Sequence, residues 1–254
     1  MFLERMTSQD IGTLDRDKTL AVCCISAMEQ HSLHLPMGTD YFIGSELVRR
    51  MESQLPSQLL CLPTVWFGAS SHHMDFAGTI SVSASTMRAV VREIATSLHA
   101  HKLSKVLFLN SHGGNRVLLA MVIQELGESF PGLQAVGATY WELAREGLSA
   151  VRETAFGGMG HACELETSIM LAISPATVKM ESAEPDGIMS GSEFDRHEML
   201  SSPLVATYRT MKQITRHGGF GDPTSASAQK GEQMLSLITP RLVALSKDVL
   251  ENRI

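Results

Sequence analysis

The chain has no apolar run of the roughly eighteen residues a membrane-spanning helix needs, no block of lysine or arginine, and no C-x-x-C pair. Each absence removes a class of function. With a net charge of -6 and dispersed basic residues, there is no electrostatic footprint for nucleic acid or an anionic membrane. The four cysteines, Cys23, Cys24, Cys61 and Cys163, form no redox or zinc spacing, and neighbours such as Cys23 and Cys24 on a strand point to opposite faces. Reduced, mostly buried thiols are expected. The opening "MFLERMTSQD" carries no apolar run of signal-peptide length, so a cytoplasmic location is expected. There is no internal repeat and no low-complexity linker. What is there is ordinary: 254 residues, 44% apolar and 19% charged, which suits one folded domain over 1–254 acting on a small molecule.

Apolar runs of strand length alternate with helical patterns, the signature of β-α-β units around a parallel sheet. Strands are expected at 20–28, 58–65, 78–82, 105–110 and 132–140. Several are continuous apolar runs, as strands covered on both faces should be. Helical spacing marks 40–53, then "TMRAVVREIATSLHAH" behind a Ser85 cap, "NRVLLAMVIQELGESF" stopped by Pro131, and "CELETSIMLAI". A last helix is expected to begin near Pro223 and Ser225, after an irregular polar stretch around 182–203.

In an open parallel sheet, ligands bind beyond the carboxyl ends of the strands. Three polar clusters fall there. Glu29 and His31, two apart in an extended segment, point the same way, and Asp40 returns after a turn containing Pro36 and Gly38. His112 lies in "NSHGGN", whose glycines let a ligand approach closely. His161 and Glu164, three apart at a helix start, are expected to share a face. Histidines mixed with several carboxylates make a hard ligand set suited to Zn, Mn or Fe(II) in a hydrolytic site, and too rich in carboxylate for a structural zinc. By contrast His72, His99, His101, His197 and His217 read as ordinary loop or surface histidines outside the site.

At these residues the chain resembles the creatininase (creatinine amidohydrolase) family, through "EQHSLHLPMGTD", "GTISVS", "LFLNSHGGN", "GHACELETS" and "GFGDPTSASAQKG" in that order. The resemblance implies a three-layer α/β/α enzyme, usually hexameric, with two divalent metals bridged by Asp40. Glu29 and His112 would complete one metal and His31 would hold the other. Creatinine-hydrolysing members place a glutamate two residues after the loop histidine, where this chain has Gly114. The missing ligand is therefore assigned to Glu164, and creatinine is disfavoured as substrate. Glu166 and His34 would support ligands from behind, while His73, Asn110 and Asn115 would line or brace the pocket. The family often has Gly-Pro where this chain has Ser32 and Leu33, Pro where it has Ala77, and Gly where it has Cys163.

The implied chemistry is hydrolysis of a non-peptide C–N bond, in a cyclic or formyl amide, by water activated at two metals, with His161 passing a proton to the leaving nitrogen. Two other readings stand beside it. Cys163, at a helix start beside His161, could be a thiolate nucleophile. A non-catalytic family member that binds metal is the third.

Overall fold

The computed structural model describes residues 1–196, 198–201 and 204–254, so His197 lies outside the described residues. Four parallel strands, β1 (Leu20–Ile25), β2 (Leu59–Cys61), β3 (Lys105–Asn110) and β4 (Gln134–Thr139), lie in the order β2-β1-β3-β4. Both β1 and β3 are buried along their whole length, which the apolar runs LAVCCI and VLFL anticipate.

Helices cover both faces. The side chains of Leu20, Val22 and Cys24 meet α1 (Thr39–Gln54), α4 (Glu164–Ile173) and α5 (Ala228–Leu250) through Leu47, Ile169 and Ile238. Ala21, Cys23 and Ile25, on the opposite face of the same strand, meet α2 (Ala84–Ala100) and α3 (Arg116–Ser129) through Met87, Val91 and Val122. The three-layer α/β/α sandwich follows from that alternation. Each fully buried leucine of this core contributes about 1.5–3 kcal/mol relative to an exposed one.

Three expectations need correction. Residues 78–82 do not form a strand of the sheet; Ile80 and Ser81 make only isolated bridges, to Met28 and Gly68. They brace the loop after β1 instead, with Ile80 N–H donating to Met28 O and the Thr79 hydroxyl accepting from Gln30 N–H. The cap of α2 is Ser83 rather than Ser85, because Ser83 is extended and its Oγ accepts from Thr86 N–H at 3.1 Å. Likewise Ser227, not the Pro223–Ser225 turn, caps the last helix.

Candidate metal centre

β1 and β3 are neighbours, so the loops that leave their carboxyl ends open onto the same point. Glu29 and His31 come from the first loop, Asp40 from the first turn of α1, and His112 from the second loop, and all four are buried. His112 Nδ1 stands 3.3 Å from Glu29 Oε1 and 3.1 Å from Asp40 Oδ2. His31 Nε2 stands 3.4 Å from Asp40 Oδ1 and 3.9 Å from Glu166 Oε1. Two triads result, Glu29–Asp40–His112 and His31–Asp40–Glu166, each with its candidate ligand atoms within 4.8 Å of one another and with Asp40 common to both. A third, Glu29–His31–His161, overlaps them.

A backbone carbonyl decides which nitrogen of His31 faces inward. Because a carbonyl can only accept, His31 must donate Nδ1–H to Glu29 O at 3.1 Å. A neutral His31 ring then turns a bare nitrogen toward carboxylate oxygens, an arrangement that repels unless a cation or proton lies between. His112 Nε2 is held from behind by the Ser70 hydroxyl at 3.2 Å, which can donate or accept, and by Ala69 O at 3.3 Å. His31 Nε2, Asp40 Oδ2 and Glu29 Oε2 are moreover buried without a hydrogen-bond partner. Imidazoles held from behind and unpartnered carboxylate oxygens in front fit divalent metal ions.

The same crowding shifts the protonation of this cluster. Burial opposes charge on His31, but Asp40 and Glu166 outweigh it and carry the imidazole up to about 9; His112 is raised in the same way by Glu29 and Asp40. Burial, reinforced by Asp40, pushes Glu166 up to about 7. Burial and the nearby His31 depress His161 to about 3, so that ring is neutral.

Glu164 does not join the cluster. Its carboxylate is wholly buried against Lys230 Nζ at 2.6 Å, Thr154 Oγ1 at 2.7 Å and the Glu153 and Thr154 N–H groups. The expected shared face with His161 fails because α4 begins only at Glu164; His161 lies in an extended bridge to Phe220, and Ala162 turns the chain at φ 51°. Glu166, expected to support a ligand, faces the cluster itself and also accepts from Ala162 N–H.

Asn110 and Asn115 act as braces. Asn110 Oδ1 accepts from His112 N–H while its Nδ2 donates to His112 O; Asn115 joins Ala69 N–H to Ser26 O. His34 bonds Thr167 Oγ1 rather than a ligand ring. His73 Nε2 lies 3.3 Å from Glu29 Oε1. His72, set aside above, in fact lines the cavity and stacks on His112, with ring centroids 5.9 Å apart. Trp141, Met199 and Met211 complete the lining of a cavity of about 120 Å³, and no spacing in the sequence pointed to them.

Cys163 is no nucleophile in this setting. It caps α4, but the thiol is fully buried 3.8 Å from Met199 Sδ, and burial pushes its pKa far up. That outweighs the helix N-terminus expected to lower it.

Comparison with known proteins agrees with this architecture. A family model described as creatinine amidohydrolase (creatininase) matches residues 4–246. A Mycobacterium ulcerans protein named mycofactocin precursor peptide peptidase is 31% identical over 219 residues, spanning 84% of this chain and 78% of the relative. Its Mycobacterium tuberculosis namesake is 29% identical over 227 residues, with the same shares covered. Among solved structures, one from Bacteroides fragilis superposes with a TM-score of 0.81 at 23% identity, covering 99% of this chain and 96% of its own. A structure described as creatininase Mn gives 0.78 at 19%, covering 97% of each chain. At those identities the structures show a shared fold.

Proposed function

Because the chain belongs to the creatininase family, we propose that it is a metal-dependent hydrolase that cleaves an amide C–N bond. One divalent ion would be held by Glu29, Asp40 and His112, and a second by His31, Asp40 and Glu166. The observation that carries this reading is the buried pair of triads sharing Asp40, in which His31 is pinned by a carbonyl so that its inner nitrogen faces Asp40 and Glu166, and His112 Nδ1 faces Glu29 and Asp40. Ions bound there would supply an acidified water and polarise the substrate carbonyl. Zn or Mn is favoured, since creatininases described as Mn and Zn-Zn forms share the fold; Fe(II) suits the donor set equally.

His161 is the proton carrier in this scheme. Its Nε2–H donates to Gln30 O at 2.8 Å, so the neutral ring turns bare Nδ1 to the cavity, 3.7 Å from Glu29 Oε1. That nitrogen can accept a proton from water and hand it to the leaving nitrogen, a role worth about 10²–10⁴ in rate.

The cavity of about 120 Å³ admits an amide with small flanking groups, or the end of a short peptide. Creatinine is disfavoured: a Cβ at Gly114 would lie 2.3 Å from Ala69 O and 2.5 Å from His112 Nε2, leaving no room for a glutamate there. The relatives' name, precursor peptide peptidase, supports including an amide bond of a short peptide with cyclic and formyl amides among the candidate substrates. A cytoplasmic homo-oligomer, a hexamer by family resemblance, completes the proposal.

The deciding experiment is metal content by inductively coupled plasma mass spectrometry on untagged protein purified without chelator, followed by an amide and short-peptide panel. About two transition-metal ions per chain, with turnover abolished by chelator and restored by metal, supports the reading. Failure to take up Zn, Mn or Fe(II) sinks it.

A further inference from the structure

Gln30 lies between the two ligand candidates Glu29 and His31 and points away from both, as alternate residues of an extended segment do. It is buried. Its side-chain Oε1 accepts from Ser32 N–H at 3.0 Å, and its Nε2 donates to Gly218 O at 2.8 Å. Reversing the amide would set N–H against N–H and oxygen against oxygen, so its orientation is determined on both sides. Gly218, at φ 89°, is what lets the chain come so near; a Cβ there would stand 2.0 Å from Gln30 Oε1.

The second Nε2 proton is aimed at His73 Nδ1, 2.7 Å away. An amide N–H can only donate, so His73 Nδ1 is the acceptor and the neutral ring carries its proton on Nε2. That Nε2–H stands 3.3 Å from Glu29 Oε1, while Glu29 Oε2 stays buried and unpartnered. With both amide protons committed, the 3.4 Å approach of Gln30 Nε2 to His161 Nε2 is packing, and His161 donates to the Gln30 carbonyl instead. The contrast among the rings is chemical. Behind His31 and His161 stands a carbonyl, which turns the acceptor nitrogen of a neutral ring inward. Behind His73 stands an amide donor, which turns an N–H inward.

We propose that Gln30 is a positioning residue that sets the tautomers of two imidazoles at once. Through its side chain it makes His73 a hydrogen-bond donor that orients Glu29 rather than a sixth ligand candidate, and through its carbonyl it makes His161 Nδ1 the acceptor. The proposal rests on the metal-hydrolase reading for its use, but the tautomers themselves do not depend on it.

The test is long-range ¹H–¹⁵N correlation of the imidazoles in full-length, ¹⁵N-histidine-labelled protein, metal-free and at pH 8. The His73 ring is assigned by its loss in His73→Gln and by contacts to the Gln30 side-chain amide. The wild type should show His73 as the Nε2–H tautomer. Gln30→Glu, which puts an acceptor where the amide donated, should move the proton to Nδ1 and weaken Zn binding about 10- to 100-fold, the usual effect of removing an outer-shell partner. An Nδ1–H or doubly protonated His73 in the wild type overturns the proposal, even where no variant folds. So does an unchanged tautomer in a folded Gln30→Glu protein. Loss of the hydrolase reading, by contrast, would show as absent metal uptake with these tautomers intact.

Discussion

Two residues apart on one helix, Glu164 and Glu166 hold their carboxylates in different company: Glu164 lies 2.6 Å from Lys230 Nζ, and Glu166 lies 3.9 Å from His31 Nε2. One fastens the helix start to α5, and the other faces the metal centre.

Their neutral variants should therefore separate. Glu166→Gln should lose about one metal ion per chain with little change in melting. Glu164→Gln should keep its metal and lose about 3 kcal/mol of stability, the lower range for breaking a buried ion pair, since Lys230 retains Glu153 and Ser225 O. Burial raises the Glu164 pKa, but Lys230, Thr154 and the Glu153 and Thr154 N–H groups together outweigh it and hold the carboxyl below its usual value. Its contribution is thus present above the unfolded pKa of about 4.3 and is lost as pH falls through the folded value. The gap between wild type and Glu164→Gln in urea melts should close under strong acid; a constant gap would refute the ion-pair account.

How much of this was legible beforehand depends on the residue. Glu29, His31 and Asp40 crowd one short stretch behind an apolar strand, and His112 follows another, so topology alone brings them together. Glu166 was misplaced for one physical reason: His161 precedes the helix instead of lying on it, so it shares no helix face with Glu164, and the left-handed Ala162 that breaks the chain between them is not written in hydrophobic spacing. Gln30 could not be picked out at all, because its importance lies in the partners of its amide. The apolar residues of 78–82 look like a strand, yet they serve as a brace without a sheet neighbour of their own.

The adjacent glycines of the second loop form a matched pair. Nothing lies within 4 Å of a Cβ at Gly113, whereas one at Gly114 would strike Ala69 O and His112 Nε2. Gly113→Ala should bind Zn within about twofold of wild type, and Gly114→Ala should lose about 10- to 100-fold by displacing His112. Competition against a fluorescent chelator reads both; equal affinities would show that His112 is not a ligand.

Metal uptake should release protons. Without metal, His31 is held protonated up to about pH 9 by Asp40 and Glu166 against the cost of burial, so at pH 7 an ion must displace that proton. Apparent affinity should fall as pH is lowered and rise until pH passes about 9. Calorimetry in two buffers of different ionisation enthalpy measures the release directly, and buffer-independent heats would contradict it.

Ser32 sits where the family often has glycine, at φ 58°, and its buried Oγ has no hydrogen-bond partner. Relieving both costs, less the added freedom of the unfolded chain, should make Ser32→Gly more stable by about 1 kcal/mol, or about 2–4 °C in Tm. A lower Tm would mean that the hydroxyl contributes something the backbone strain conceals.

The pairing of β1 with β3 joins Ala21 to Val106 and Ile25 to Asn110, and Glu166 arrives later still. The first triad is therefore complete in the sequence by residue 112, and the second only once synthesis reaches the first turn of α4. The ligand candidates are thus all made before α5, the helix that closes one of the two apolar layers.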